Sequence, residues 1–350
     1  MRGIEIKSTL VSIQYLRAVA ALMVVFHHSL KQIDDYSDNL IITNIGAAGV
    51  DIFFIISGFV IWLVTCKKDD SIINFLLKRV VRVVPIYWAV TMLIVVVCVS
   101  YPSVFKTTIV GFWPVVKSLF FIPHYSLAFP ESIFPILVPG WTLNYEMFFY
   151  FVFSASFLFK RKLIFLGAIF VSLVLLGFVV KSESAVFLTY TNSLLLEFLA
   201  GVLIGKCYTE GWLSRVSVLN ASSLIFLSVL FFAISMFFFN DGESDRVIKW
   251  GGPSLLLIIG VISLEIHNKI HVKKLFIFVG DASYSIYLLH ILALGLLRFL
   301  WVKVVDVGDS TFEAYFFVVV CVVFSTFIGC VVHKLIEDPL TKCIRKLLIR

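Results

Sequence analysis

Arg17 and His28 stand eleven residues apart in one mostly apolar stretch. On an α-helix that spacing returns to the same face within about 20°, with an axial separation of about 16 Å. An imidazole there can take a proton from a hydroxyl and hand it to a leaving group. The adjacent His27 points to another face. Two carboxylates open other apolar stretches: Asp51 in Gly49-Val50-Asp51, and Glu146 in Trp141-Thr142-Leu143-Asn144-Tyr145-Glu146. A carboxylate that fixes the tautomer of a histidine base is its usual support. His28, Glu146 and Asp51 are therefore the candidate catalytic residues. Each acid also has a structural reading, Asp51 as a helix N-cap and Glu146 as an exposed acid in a first helical turn.

A second group is basic. Lys78-Arg79-Val80-Val81-Arg82 stands just before Pro85. Residues three apart share a helix face, so Arg79 and Arg82 form a guanidinium pair suited to phosphate. A cationic membrane flank is the plainer alternative. Ser283, Tyr284, Ser285, Tyr287 and His290 put a polar run inside a late apolar segment. It serves either helix–helix hydrogen bonds or a substrate. Trp141, Tyr145, Ser285 and His290 are the candidates for substrate contact, and Arg17 joins Arg79 and Arg82 for the donor. Glu197 faces the bundle without an assigned role. The six Cys form no CxxC and no Cys/His cluster, so neither disulfide nor metal is expected.

A membrane must position these groups. Of 350 residues, 60% are hydrophobic and 15% charged, and mean hydropathy is +1.02. Soluble domains hold about 45–50% apolar and about 25% charged residues. That excludes a disordered chain and an ordinary soluble enzyme. Apolar segments at 10–30, 47–65, 83–100, 142–159, 164–180, 186–205, 222–239, 251–266, 280–302 and 312–333 are each near spanning length. The expectation is all-α: a polytopic membrane helix bundle of about ten transmembrane helices, forming a single domain over 1–350. The first span reads as uncleaved, since Arg17 interrupts it and no small-residue cleavage site follows His28.

With the N-terminus inside, twenty of the 29 Lys and Arg fall in one alternating set of connectors and seven in the other. Both termini are then expected in the cytoplasm. The net charge of +7 reads as this asymmetry and not as a nucleic-acid surface. Arg17, Arg79 and Arg82 lie toward the cytoplasmic side; His28, Asp51 and Glu146 lie in the outer half. The outer connector 101–141 carries six of the nine Pro together with Trp113, Phe120, Phe121, His124, Tyr125 and Phe129. It reads as an interfacial aromatic belt or a sugar-facing lid.

These motifs resemble the acyltransferase-3 family of bacterial integral-membrane O-acyltransferases. Arg17 and His28 match its first motif, and Gly49-Val50-Asp51 through Ser57-Gly58-Phe59 its second. Arg79-x-x-Arg82, Trp141-Thr142-Leu143-x-x-Glu146, Ser283 through His290 and Glu337-x-Pro339 follow in family order. Thr142 stands where Ser is usual, and Asp338 where a basic residue is common. The resemblance implies acyl transfer, commonly of acetyl from acetyl-CoA, to hydroxyls of surface glycans such as O-antigen or exopolysaccharide. It implies a catalytic role for His28 and donor contact for Arg79 and Arg82. Some members carry an esterase-like C-terminal domain; none follows the last span here, which favours the smaller exopolysaccharide or O-antigen type.

The expected protein is an inner-membrane enzyme that takes acetyl from cytoplasmic acetyl-CoA and gives it to a glycan or lipid-linked glycan. Membrane lipid is its surroundings, and no nucleic acid is expected. Two rivals differ in class: a transporter or flippase of a lipid-linked glycan, and an acyltransferase that modifies a lipid or protein.

Overall fold

The computed structural model describes residues 10–33, 43–66, 71–101, 108–238, 245–304 and 311–348. Regular structure among them is entirely helical. In chain order the helices are α1 (Val11–Leu30), α2 (Ala48–Thr65), α3 (Ile72–Ser100), α4 (Phe112–Leu119), α5 (Trp141–Ala155), α6 (Lys162–Val179) and α7 (Ala185–Tyr190). There follow α8 (Leu195–Thr209), α9 (Val218–Phe238), α10 (Gly252–Ile266), α11 (Lys274–Asp281), α12 (Ser283–Val304), α13 (Thr311–Val332) and α14 (Asp338–Leu348).

Nine helical segments among the described residues are long and apolar enough to cross a membrane. Large apolar side chains such as Phe178 and Val179 on α6 are exposed, as suits lipid-facing positions. The protein is a multi-pass helical membrane protein. The segment expected to span over 142–159 is shorter than expected. α5 has 15 residues and ends in a 3₁₀ turn, Ser156–Leu158. Ser154 and Ser156 turn their hydroxyls back onto the carbonyls of Phe151 and Phe153 there. α3 is longer than expected. It starts at Ile72, where the Ser71 hydroxyl caps the Asn74 N–H, and runs for 29 residues through Pro85. Membrane helices accommodate such a proline. Arg79 and Arg82 are therefore helical residues and not part of a connector.

The described helices group into two compact units. The first comprises Met1–Lys68 and Ala200–Lys334. α1 packs there against α2, α10, α11, α12 and α13. Its entry is pinned from α10: both carboxylate oxygens of Glu265 accept from the backbone N–H groups of Val11 and Ser12, at 3.0 and 2.7 Å. These are donors that a helix start otherwise leaves unmet. The start of α2 lies so close to α1 that a Cβ on Gly49 would collide with the Ala20 carbonyl oxygen. Glycine at that position lets the two backbones meet, and so fixes Asp51, two residues on, within the bundle.

The second unit comprises Asp69–Leu199 and Leu335–Arg350. α3 packs against α4, α5 and α14. Stacked or tilted rings fill its core: Phe75 against Phe153, and Phe149 against Phe170 and Phe198.

Candidate active site

In the first unit α1 carries Arg17 and His28 on one uninterrupted helix, as their spacing requires. Arg17 is half-buried and donates to the Gln14 side chain at 3.2 Å. His28 lies near the other end, with its ring centroid 4.9 Å from that of His290 on α12 and 5.1 Å from that of His27. His290 is fully buried. Its Nδ1 bonds the Tyr287 backbone carbonyl, so Nδ1 carries the proton and Nε2 presents a lone pair. That Nε2 is buried and has no hydrogen-bond partner among the described residues. Tyr287 and Phe53 extend the cluster as an aromatic wall. Sequence reasoning placed His28 and His290 on separate helices, and the fold brings their rings together.

Asp51 behaves differently from expectation. It sits in the first turn of α2, whose N-cap is Ala47, so it is not the capping residue. Its side chain is fully buried and its Oδ2 accepts from Arg246 Nη2 at 2.8 Å. Arg246 also donates to the Ala47 carbonyl at 3.2 Å. No carboxylate of this unit is hydrogen-bonded to His28 among the described residues, so the support expected from Asp51 is absent there. The physical reason is Arg246, a fixed cation that claims the carboxylate. Sequence reasoning passed over it as one of two basic residues flanking a span.

In the second unit α3 turns Arg79 toward α5. The Arg79 guanidinium carbon lies 5.6 Å from the Phe75 ring centroid and 5.9 Å from that of Tyr150. Such packing holds a planar cation in one orientation. The Arg79 Nε is buried and without a hydrogen-bond partner among the described residues. Tyr150 donates its phenolic hydrogen to Glu146, one turn earlier on α5. Glu146 is close enough to Arg79 for their charges to interact, and Arg82 is a further charged neighbour. The sequence reading set Glu146 and the arginine pair at opposite membrane faces. The structure places them in one cluster, because α3 begins about ten residues before its apolar core and carries Arg79 up against α5. Tyr150 was quoted within a motif but given no role; its i, i+4 spacing from Glu146 was the available signal.

Trp141 and Tyr145 lie edge to face on α5, with ring centroids 5.9 Å apart. Ser285 is fully buried on α12. Glu197 is buried on α8. The connector after α3 packs back on that helix: Tyr87 of α3 stacks on Phe121, and the Trp88 indole of α3 donates to the Leu119 carbonyl. Phe112, Trp113 and Phe120 remain exposed. His124 is buried there, and burial pushes its pKa below the usual histidine value; its bond to the Ile122 carbonyl opposes that shift and nearby Lys117 adds to it. No group of three or more metal-ligating side chains occurs among the described residues.

A many-helix membrane protein with a buried histidine cluster in one unit and an arginine–carboxylate cluster in the other is the class this geometry defines. The acyltransferase-3 family, described as an acyltransferase domain, matches residues 10–335, and the chain belongs to it. It is an O-acyltransferase, which displaces the transporter reading. The chain is 36% identical over 302 residues to the exopolysaccharide production protein ExoZ of Rhizobium meliloti (strain 1021), covering 85% of this chain and 90% of that protein. A Staphylococcus aureus (strain COL) protein provisionally named an O-acetyltransferase is 25% identical over 367 residues, covering 93% of this chain and 56% of that protein. The peptidoglycan O-acetyltransferase OatA of Listeria monocytogenes is 27% identical over 318 residues, covering 80% and 48%. The chain thus spans about half the length of these last two. No solved structure matches.

Proposed function

We propose that the protein transfers an acetyl group from cytoplasmic acetyl-CoA to a hydroxyl of a cell-surface glycan or its lipid-linked precursor, of the exopolysaccharide or O-antigen type, in the bacterial inner membrane. The observation that carries this reading is the His28–His290 ring pair, which puts a base beside a second imidazole with a fixed tautomer and a free acceptor nitrogen. Similarity to ExoZ over most of both chains supports the glycan acceptor.

In this reading Arg79 and Arg82 hold the phosphates of the donor, and Arg17 is a further donor contact. The His290 Nε2 accepts a hydrogen bond from a second hydroxyl of the acceptor sugar, next to the one that reacts, and Ser285 contacts the same acceptor. His28 removes the hydroxyl proton as the oxygen attacks the thioester carbonyl carbon. The carbon–sulfur bond then breaks, and the protonated imidazole returns its proton to the departing CoA thiolate. General base catalysis of this kind contributes about 10²–10⁴-fold.

The test is acetyl transfer in membranes, with mass spectrometry of the surface polysaccharide from deletion and complemented strains. His28→Ala is expected to lower transfer by about 10²–10⁴-fold, with the acetyl increment lost from the polysaccharide. Full acetylation by that variant would sink the assignment. An acetyl increment found on lipid or protein instead of the polysaccharide would move the acceptor.

A further inference from the structure

The donor proposed above carries phosphates, and both cations assigned to them so far lie on α3. Within the second unit α14 packs on α3. Arg345 of α14 comes close enough to Arg79 for their charges to interact directly, as Arg82 does from α3 itself. Three guanidinium groups thus lie on two helices packed against each other, with their charges in range of one another at Arg79. Arg82 and Arg345 are exposed, and neither makes an ion pair among the described residues. The carboxylate that reaches Arg79 is Glu146, and Tyr150 already donates to it. Three positive charges thus face one negative charge, an excess of two. Arg79 also keeps a buried, unpartnered Nε.

An excess of two fixed positive charges suits a dianionic group such as a phosphomonoester or a diphosphate, for which the planar guanidinium fork is the fitting donor. The neighbouring cation on α14 is arranged otherwise. Lys342, one turn before Arg345, is paired with Asp338 at 2.7 Å. Of the three cations on α14, Lys342 is neutralised in a pair, Arg345 and Lys346 are exposed, and Arg345 is the one whose charge reaches Arg79.

We propose that Arg345 is a third ligand for the phosphates of the acyl donor, closing with Arg79 and Arg82 a site shared by α3 and α14. α14 is then a donor-binding element as well as a continuation of the last span. This rests on the donor reading above.

The experiment uses the full chain in nanodiscs, one set of neutral lipid and one containing phosphatidylglycerol. Adenosine 3′,5′-bisphosphate serves as the probe for binding, and acetyl-CoA and acetyl-pantetheine as alternative donors. Arg345→Gln is expected to raise the Kd of the bisphosphate and the KM of acetyl-CoA about tenfold, the size of one hydrogen bond to a charged group. Its kcat should hold, and so should turnover of acetyl-pantetheine, which lacks the phosphates. Arg345→Lys should recover part of the affinity, and Lys342→Gln should leave all four readouts unchanged. Wild-type affinity in Arg345→Gln, an equal loss in Lys342→Gln, or an equal loss with acetyl-pantetheine would each overturn the proposal. An effect confined to the phosphatidylglycerol discs assigns Arg345 to lipid headgroups and overturns it as well. If Arg79→Gln weakens the bisphosphate and Arg345→Gln does not, only the role of Arg345 fails. If the wild-type protein binds no bisphosphate, the donor reading fails with it.

Discussion

In the first unit His27, His28 and His290 lie ring beside ring, and a backbone carbonyl fixes where the His290 proton sits. In the second unit Arg79 lies against two rings, and a carboxylate and further cations fix the charge around it. Both clusters immobilise a planar side chain with aromatic neighbours, but they hold different things. An imidazole can accept a proton at one ring nitrogen and donate from the other, so their cluster defines proton positions. Guanidinium groups keep their charge at any working pH, so theirs defines where an anion binds. One unit is equipped to move a proton and the other to hold a charged handle. The two should therefore separate in kinetics, with rate and acceptor terms on the histidine side and donor affinity on the arginine side.

The sharpest way to break that division is His290→Phe. The ring is kept and the lone pair at Nε2 is lost, so the second sugar hydroxyl proposed to bond there, beside the reacting one, has no partner. Leaving such a group unmet costs about 1–3 kcal/mol, which is about fivefold to 150-fold in kcat/KM for the acceptor. The KM for acetyl-CoA should stay where it is. A change in donor KM with no change in acceptor kcat/KM would show that the two clusters are not functionally distinct.

Asp51 is the next point of strain on the comparison, because its sequence motif placed it with the chemistry and its hydrogen bond places it with the architecture. Asp51→Asn removes the charge opposite Arg246, leaving the Ala47 carbonyl among the bonds described for that guanidinium. Breaking a fully buried pair costs about 3–5 kcal/mol. Arg246 is partly open to solvent, at 21% of its side chain, so a loss of about 2 kcal/mol is expected. Thermal unfolding in detergent reads it, and transfer per folded molecule should be near wild type. Wild-type stability with transfer abolished would return Asp51 to the histidine site.

What the sequence made legible follows from which forces are local. Apolar runs of spanning length need no partner to be recognised, so the helical membrane class was readable from Leu, Val, Ile and Phe alone. The Arg17–His28 alignment depends only on helix pitch. Boundaries set by tertiary packing were not readable. α3 continues through Lys78, Arg79 and Arg82 because its early turns pack against α5 and α14, and α5 stops short where two serines turn back onto the backbone. Cross-helix pairs were hidden for the same reason. The link between Asp51 and Arg246 joins residues 195 apart in sequence, and no local period announces it. Lys/Arg counting reads cations as flanks, and so it passed over both Arg246 and Arg345.

The smallest expected effect tests how the arginine cluster keeps its charge available. Glu146 is the anion that reaches Arg79, and if it paired fully with that guanidinium it would compete with a bound phosphate. The Tyr150 hydroxyl holds one Glu146 oxygen by donating to it, and its ring lies against the guanidinium at the same time. Tyr150→Phe keeps the ring and frees the carboxylate. A hydrogen bond to a charged group is worth about 1.5–3 kcal/mol, and with about half of that felt by the bound donor the KM for acetyl-CoA should rise about threefold to tenfold at unchanged kcat. Tyr150→Leu removes the stacking surface as well and should raise it further. A lower KM in Tyr150→Phe would mean that Glu146 was never a competitor and that the hydroxyl only spoils the site. A fall in kcat would carry this tyrosine, and Glu146 with it, over to the side of the molecule that handles protons.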